Sequence, residues 1–121
     1  MRFLLTVLFS LFASGATAEQ PEPTDPLWID VRTAAEYESG HLPGARHIEF
    51  DRIGAQIAAL TQDPNQRIVL YCKSGRRSGF AKQTLISLGY RNVHNAGGVA
   101  DVLRRTGREP AFGPDCITRE C

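Results

Sequence analysis

Apolar and polar positions fall into short blocks that change period along the chain. Trp28-Ile29-Asp30-Val31 is a brief apolar strand signal. Thr33, with Glu36 three residues on, matches a capping box and predicts a short helix through Tyr37 that Gly40 ends. His41-Leu42-Pro43-Gly44-Ala45 reads as a turn, and His47 to Phe50 as a second short strand. Asp51 is placed to cap a helix in which Ile53, Ile57 and Leu60 share one face, until Asp63-Pro64-Asn65 breaks it. Arg67 to Tyr71 is the clearest strand, β-branched, apolar and too short for a helix. Its unbroken apolar character suits a parallel strand covered on both faces. A loop, Cys72 to Gly75, leads into a helix from Arg77 to Leu88. Its apolar side groups Phe80, Ala81, Thr84, Leu85 and Leu88, and Gly89 is the stop signal. Asn92 to Asn95 is a last strand, and Gly97-Gly98 turns the chain into a helix from Val99 to Arg105.

Strands alternating with helices imply an α/β domain around a mainly parallel sheet. Ligands of such sheets sit at the carboxyl ends of the strands, where Cys72 falls.

The two ends of the chain are of other kinds. Met1-Arg2, the apolar run Phe3 to Ala13 and Ala16-Thr17-Ala18 form the three parts of a cleavable export signal over residues 1–18. The run is short of the roughly 20 residues that span a bilayer. The expectation is a periplasmic protein cut after Ala18, with no membrane attachment afterwards. Residues 19–26, with three prolines, read as an arm, residues 27–106 as the folded domain and residues 107–121 as a tail. Removing the leader takes away Arg2, so 14 basic and 13 acidic residues become 13 and 13. A neutral domain has no overall attraction for nucleic acid or anionic lipid, and any preference for anions is local. A monomer acting on small molecules is the expected state.

The local cluster is Cys72-Lys73-Ser74-Gly75-Arg76-Arg77-Ser78. The nucleophile at cysteine is the thiolate, scarce at neutral pH unless something stabilises it. Lys73, Arg76 and Arg77 supply cations. Gly75 lets the backbone turn so that N–H groups point inward, and the following helix aims its positive end at the loop. The same cradle suits a small anion that delivers sulfur, such as thiosulfate or a polysulfide, and it calls for no metal or organic cofactor. Of the other cysteines, Cys116 and Cys121 share the tail. In an oxidising compartment they are expected to pair as a structural disulfide; the open alternative is that they relay sulfur.

These blocks resemble the single-domain rhodaneses. The resemblance rests on Trp28-Ile29-Asp30-Val31-Arg32, Glu36-Tyr37, Gly40 to Ala45, Tyr71 to Gly79, Gly89-Tyr90 and Asn95-Ala96-Gly97-Gly98, in order over about residues 27–103. It implies a five-stranded, mainly parallel sheet flanked by helices on both faces. It also implies an active loop from Cys72 to Arg77, with Cys72 carrying sulfur as a persulfide from thiosulfate to cyanide or a thiol. Asp30 and Arg32 resemble the family's first motif, near the site, and a structural pairing is expected for them. His41 is expected to hydrogen-bond within its turn. The tail cysteines lie outside the family pattern.

Three rivals remain. A phosphatase or arsenate reductase needs five residues between Cys and Arg, whereas four separate Cys72 from Arg77. A persulfide carrier serving a protein partner keeps the same loop. A purely structural binding module is disfavoured by the retained thiol.

Overall fold

The computed structural model describes residues 25–114. The leader, most of the arm, and both Cys116 and Cys121 lie outside the described residues. Strands β1 (Leu27–Asp30), β2 (Arg46–His47), β3 (Ile68–Cys72) and β4 (Val93–Gly98) form one sheet in the order β2-β1-β3-β4. Every neighbouring pair is parallel. Helices α1 (Ala34–Glu38), α2 (Ile53–Gln56, continued by a 3₁₀ turn Ile57–Ala59), α3 (Arg76–Ser87) and α4 (Val99–Thr106) connect or follow them.

The central strand explains the layering. All five residues of β3 are buried. Successive side chains point to opposite faces, so they divide between two cores. Ile68, Leu70 and Cys72 join Ile29, Val31, Ile53, Ile57, Ala81 and Leu85 on the α2–α3 side. Tyr71 joins Leu42, Ala45 and Val102 on the α4 side. A strand apolar at every position is therefore required, and Cys72 is committed to the face that carries α3.

Four expectations need correction. The sheet has four strands among the described residues, not five. The remaining extended pairing is a single antiparallel bridge, where His41 and Ala111 exchange N–H···O bonds of 2.9 and 2.8 Å. Proline at 43 and 110 denies donors on either side of it. Second, β2 closes at His47, but Ile48 and Phe50 still donate to the carbonyls of Asp30 and Val31 at 3.1 and 3.0 Å. Third, Asp51 does not cap α2. Arg52 holds the cap position without a side-chain bond, because the turn closed by Arg52 N–H on the Glu49 carbonyl leaves Asp51 one residue too early. Fourth, the buried row of α3 is Ser78, Ala81 and Leu85, while Phe80 and Leu88 are 55% and 54% exposed. Phe80 sits a third of a turn from that row and meets the ring of Phe50 instead. The capping box is present as expected: Thr33 Oγ1 accepts from Glu36 N–H and Glu36 accepts from Thr33 N–H, each at 3.2 Å.

Candidate active site

The thiol sits where β3 stops and α3 begins. Cys72 is wholly buried and ends its strand. Gly75 takes the N-cap of α3 with φ +96°, a left-handed conformation that side chains rarely adopt. This turn folds residues 73–75 back over the sulfur. Gly75 N–H donates to Sγ at 2.9 Å, and the Ser78 hydroxyl lies 3.4 Å from it. The helix begins one residue earlier than the periodicity indicates, at Arg76, and the backbone of Ser74, Gly75 and Ser78 donates toward the sulfur.

Burial opposes ionisation of Cys72, but hydrogen bonds from the Ser78 side chain and from the backbone of Ser78, Ser74 and Gly75 outweigh it. The thiol is held below its ordinary value. The arrangement thus stabilises a sulfur anion with the Ser78 hydroxyl and with the backbone N–H groups of Ser78, Ser74 and Gly75.

The loop cations divide. Lys73 and Arg76 are exposed and make no salt bridge among the described residues. Both are available to an arriving anion. Arg77 instead forms a two-pronged pair with Glu36 at 2.7 and 2.9 Å, tying α3 to α1. This bond, helped by those from Thr33 and working against partial burial, holds the Glu36 carboxyl down at about 2. Ser74 is exposed at the loop tip, and Ser78 is buried under it.

Asp30 and Arg32 lie at the end of β1. Arg32 Nη2 and Nε reach Asp30 at 2.7 and 3.0 Å, and Nη2 also donates to the Gly40 carbonyl at 2.8 Å. The guanidinium stacks over Tyr71, 5.9 Å from the ring centroid. Burial, reinforced by the Asp30 charge, pushes the Tyr71 phenol far up, so it stays neutral. His41 is buried, its Nδ1 2.7 Å from the Tyr37 carbonyl and its ring stacked on Tyr37. His47 Nε2 is 2.7 Å from the Arg32 carbonyl. None of these groups makes a hydrogen bond to the sulfur.

Two residues at the end of β4 contribute more than their sequence signals suggest. A Cβ on Gly98 would stand 2.4 Å from the Lys73 carbonyl oxygen, so the loop seats directly on that glycine. Asn95 bonds to Gly75, Ser78 and Gly97. The Asn-Ala-Gly-Gly spacing hints at a tight backbone approach, but only the fold reveals what approaches. A groove of about 270 Å³ lined by Trp28, Val69, His94, Val102 and Arg105 lies on the α4 face, across the sheet from the thiol. Among the described residues no group of three or more His, Cys, Asp or Glu could hold a metal ion, and no helix is long and apolar enough to cross a membrane.

The family model of the rhodanese-like domain matches residues 15–104. The chain belongs to the rhodanese-like family. It is 41% identical over 75 residues to thiosulfate sulfurtransferase PspE of Escherichia coli, covering 62% of this chain and 72% of that one. A solved rhodanese with anions from E. coli superposes with a TM-score of 0.67 at 36% identity, covering 74% of this chain and all of the other. The putative sulfur carrier protein YrkF of Bacillus subtilis is 37% identical over 67 residues, 55% of this chain but 35% of its own length. A rhodanese-like sulfurtransferase is the class to which these matches assign the chain.

Proposed function

We propose that this protein moves sulfane sulfur from thiosulfate to cyanide or a small thiol through a persulfide on Cys72. The observation that carries the reading is the Cys72 sulfur itself. It receives the Gly75 N–H at 2.9 Å beneath a loop whose Lys73 and Arg76 face solvent without a carboxylate partner among the described residues. The kinship with a thiosulfate sulfurtransferase supports the choice of donor.

In the first step the Cys72 thiolate attacks the outer sulfur of thiosulfate. The new S–S bond forms as the old one breaks, and sulfite leaves with the electron pair. The terminal sulfur of the persulfide inherits the negative charge and the backbone donors. In the second step the acceptor attacks that sulfur, and Cys72 departs as the thiolate it began as. This is a two-step covalent scheme in which each half-reaction is balanced without a redox cofactor. Lys73 and Arg76 draw the dianion in, and Ser74, Gly75 and Ser78 hold the developing charge. Export to the periplasm by the residues 1–18 signal, and action as a monomer, complete the proposal.

The test is direct. The chain from Glu19 onward is incubated with thiosulfate and weighed by intact mass spectrometry. One added sulfur atom, absent in Cys72→Ser and removed by cyanide, is the expected result. An unmodified mass at saturating thiosulfate overturns the choice of donor.

A further inference from the structure

We infer that Asn95 is a positioning residue of the sulfur-transfer site: its side chain aims the Ser78 hydroxyl and the Gly75 turn at Cys72. The inference rests on the reading of Cys72 as the working nucleophile.

Its basis is a set of bonds that agree on one orientation of the amide. Asn95 Nδ2 donates to the Gly75 carbonyl at 2.8 Å. Asn95 Oδ1 accepts from the Ser78 hydroxyl at 2.7 Å and from Gly97 N–H at 3.0 Å. Turning the amide over would set donor against donor at Gly97 and acceptor against acceptor at Gly75. Asn95 thus grips the catalytic turn at its carbonyl, while the N–H of the same residue points at the sulfur.

The strand geometry makes this reach possible. Leu70 pairs with Asn95 and Cys72 with Gly98, so β4 spans three steps where β3 spans two. The extra residue is a bulge, with Gly97 at φ +92°. Bulges re-aim side chains, and this one sets Asn95 against the start of α3.

Ser78 gives the arrangement a function beyond support. Its Oγ lies within bonding range of both Asn95 Oδ1 and Cys72 Sγ, yet a hydroxyl has one proton to donate. With Cys72 as a thiol, Ser78 donates to Asn95. With Cys72 ionised and its proton lost to water, the Ser78 O–H turns to the sulfur. Asn95 Oδ1 is not orphaned by the turn, because Gly97 N–H stays on it. The hydroxyl is thereby held ready for the anion without a buried acceptor going unsatisfied.

Other charges around the sulfur are Lys73 and Arg76 on the loop, Arg77 on α3 with Glu36 of α1 bound to it, and the Asp30–Arg32 pair ending β1. On β4 the titratable group is His94, which lines the groove on the α4 face. None hydrogen-bonds to the Asn95 side chain, so a substitution there leaves these charges in place.

The decisive variant is Asn95→Asp. The carboxylate keeps hold of the Ser78 proton and sets an acceptor against the Gly75 carbonyl. Alkylation of Cys72 by iodoacetamide, followed against pH, should show its midpoint raised by about one unit, equal to tenfold slower alkylation below that midpoint. In a Ser78→Ala background the same substitution should move the midpoint less. A support role alone would lower the melting temperature and leave only the through-space effect of the new carboxylate, which moves the midpoint equally with and without Ser78; equal shifts in the two backgrounds, in folded protein, overturn the inference. Should Asn95→Asp not fold, the unaltered chain answers instead. Its Asn95 side-chain amide NMR signals should shift with pH through the Cys72 alkylation midpoint, and signals that stay still overturn the inference equally. Alkylation needs no sulfur donor, so failure of thiosulfate transfer would leave this result standing and fault only the proposed reaction.

Discussion

The carboxyl ends of β1 and β3 lie side by side, and both carry arginine, yet they are built for opposite purposes. At the end of β1 the guanidinium of Arg32 is buried, held by Asp30 and the Gly40 carbonyl, and stacked over Tyr71. At the end of β3, Lys73 and Arg76 face solvent, and the donors aimed at the sulfur are backbone N–H groups and the Ser78 hydroxyl. A cation with a carboxylate partner fixes the position of a strand end; one without remains available to an incoming anion. Charge density in the sequence does not distinguish the two. The carboxylate within reach does, and Arg77 makes the point: it belongs to the loop by sequence and to Glu36 by contact.

The comparison can be broken from either side. The largest effect is expected at the thiol. Cys72→Ser should abolish persulfide formation while the melting temperature stays within a few degrees, since only one atom changes. Measurable thiosulfate-to-cyanide transfer by that variant would remove Cys72 from the mechanism. On the β1 side, Arg32→Met should leave Asp30 buried without its partner and destabilise the fold by about 3–5 kcal/mol, read by urea denaturation. A loss below 1 kcal/mol would mean that water reaches the carboxylate.

Neutralising the exposed cations tests the opposite claim. Lys73→Gln with Arg76→Gln should raise KM for thiosulfate about tenfold, on the order of 1.4 kcal/mol, with little change in stability. Unchanged steady-state kinetics would assign substrate capture to the backbone alone.

The smallest effect is expected between the two regions, at Glu36. Its folded-state value is about 2 against an ordinary 4.5, so the carboxylate is preferred in the native state. The stability it confers is present above pH 4.5 and is lost as pH falls from there toward 2. The pair is partly exposed, so Glu36→Gln should cost about 1 kcal/mol or less at neutral pH, and that difference should vanish at the acid end. Melting temperatures of the two proteins that remain apart at pH 2 would show that Arg77 is not the cause.

Much of this architecture was legible beforehand. β3 was readable because a strand buried on both faces must be apolar throughout, and α1 because its capping box is local. Gly89 and the Cys72 loop were readable for similar reasons: a left-handed stop needs glycine, and a thiol among cations at a strand end is rare by accident. The outward placement of Phe80 and Leu88 was not readable, because helical spacing groups residues within a sector but does not say where the sheet lies. Neither was the cap of α2, where Asp51 has the right chemistry and the wrong register.

The sequence by itself determined the alternation of strands and helices, the covered central strand and the place of the Cys72 loop at that strand's carboxyl end. Each follows from periodicity or from chemistry within a few neighbouring residues. The tertiary structure alone decided which cations are free and which are paired, since Glu36 and Arg77 are 41 positions apart. It also decided that Asn95 and Gly98 meet the Cys72 loop. Their bulged strand meets that loop only after β3 and β4 have paired, and contacts between segments distant in sequence leave no local pattern to read.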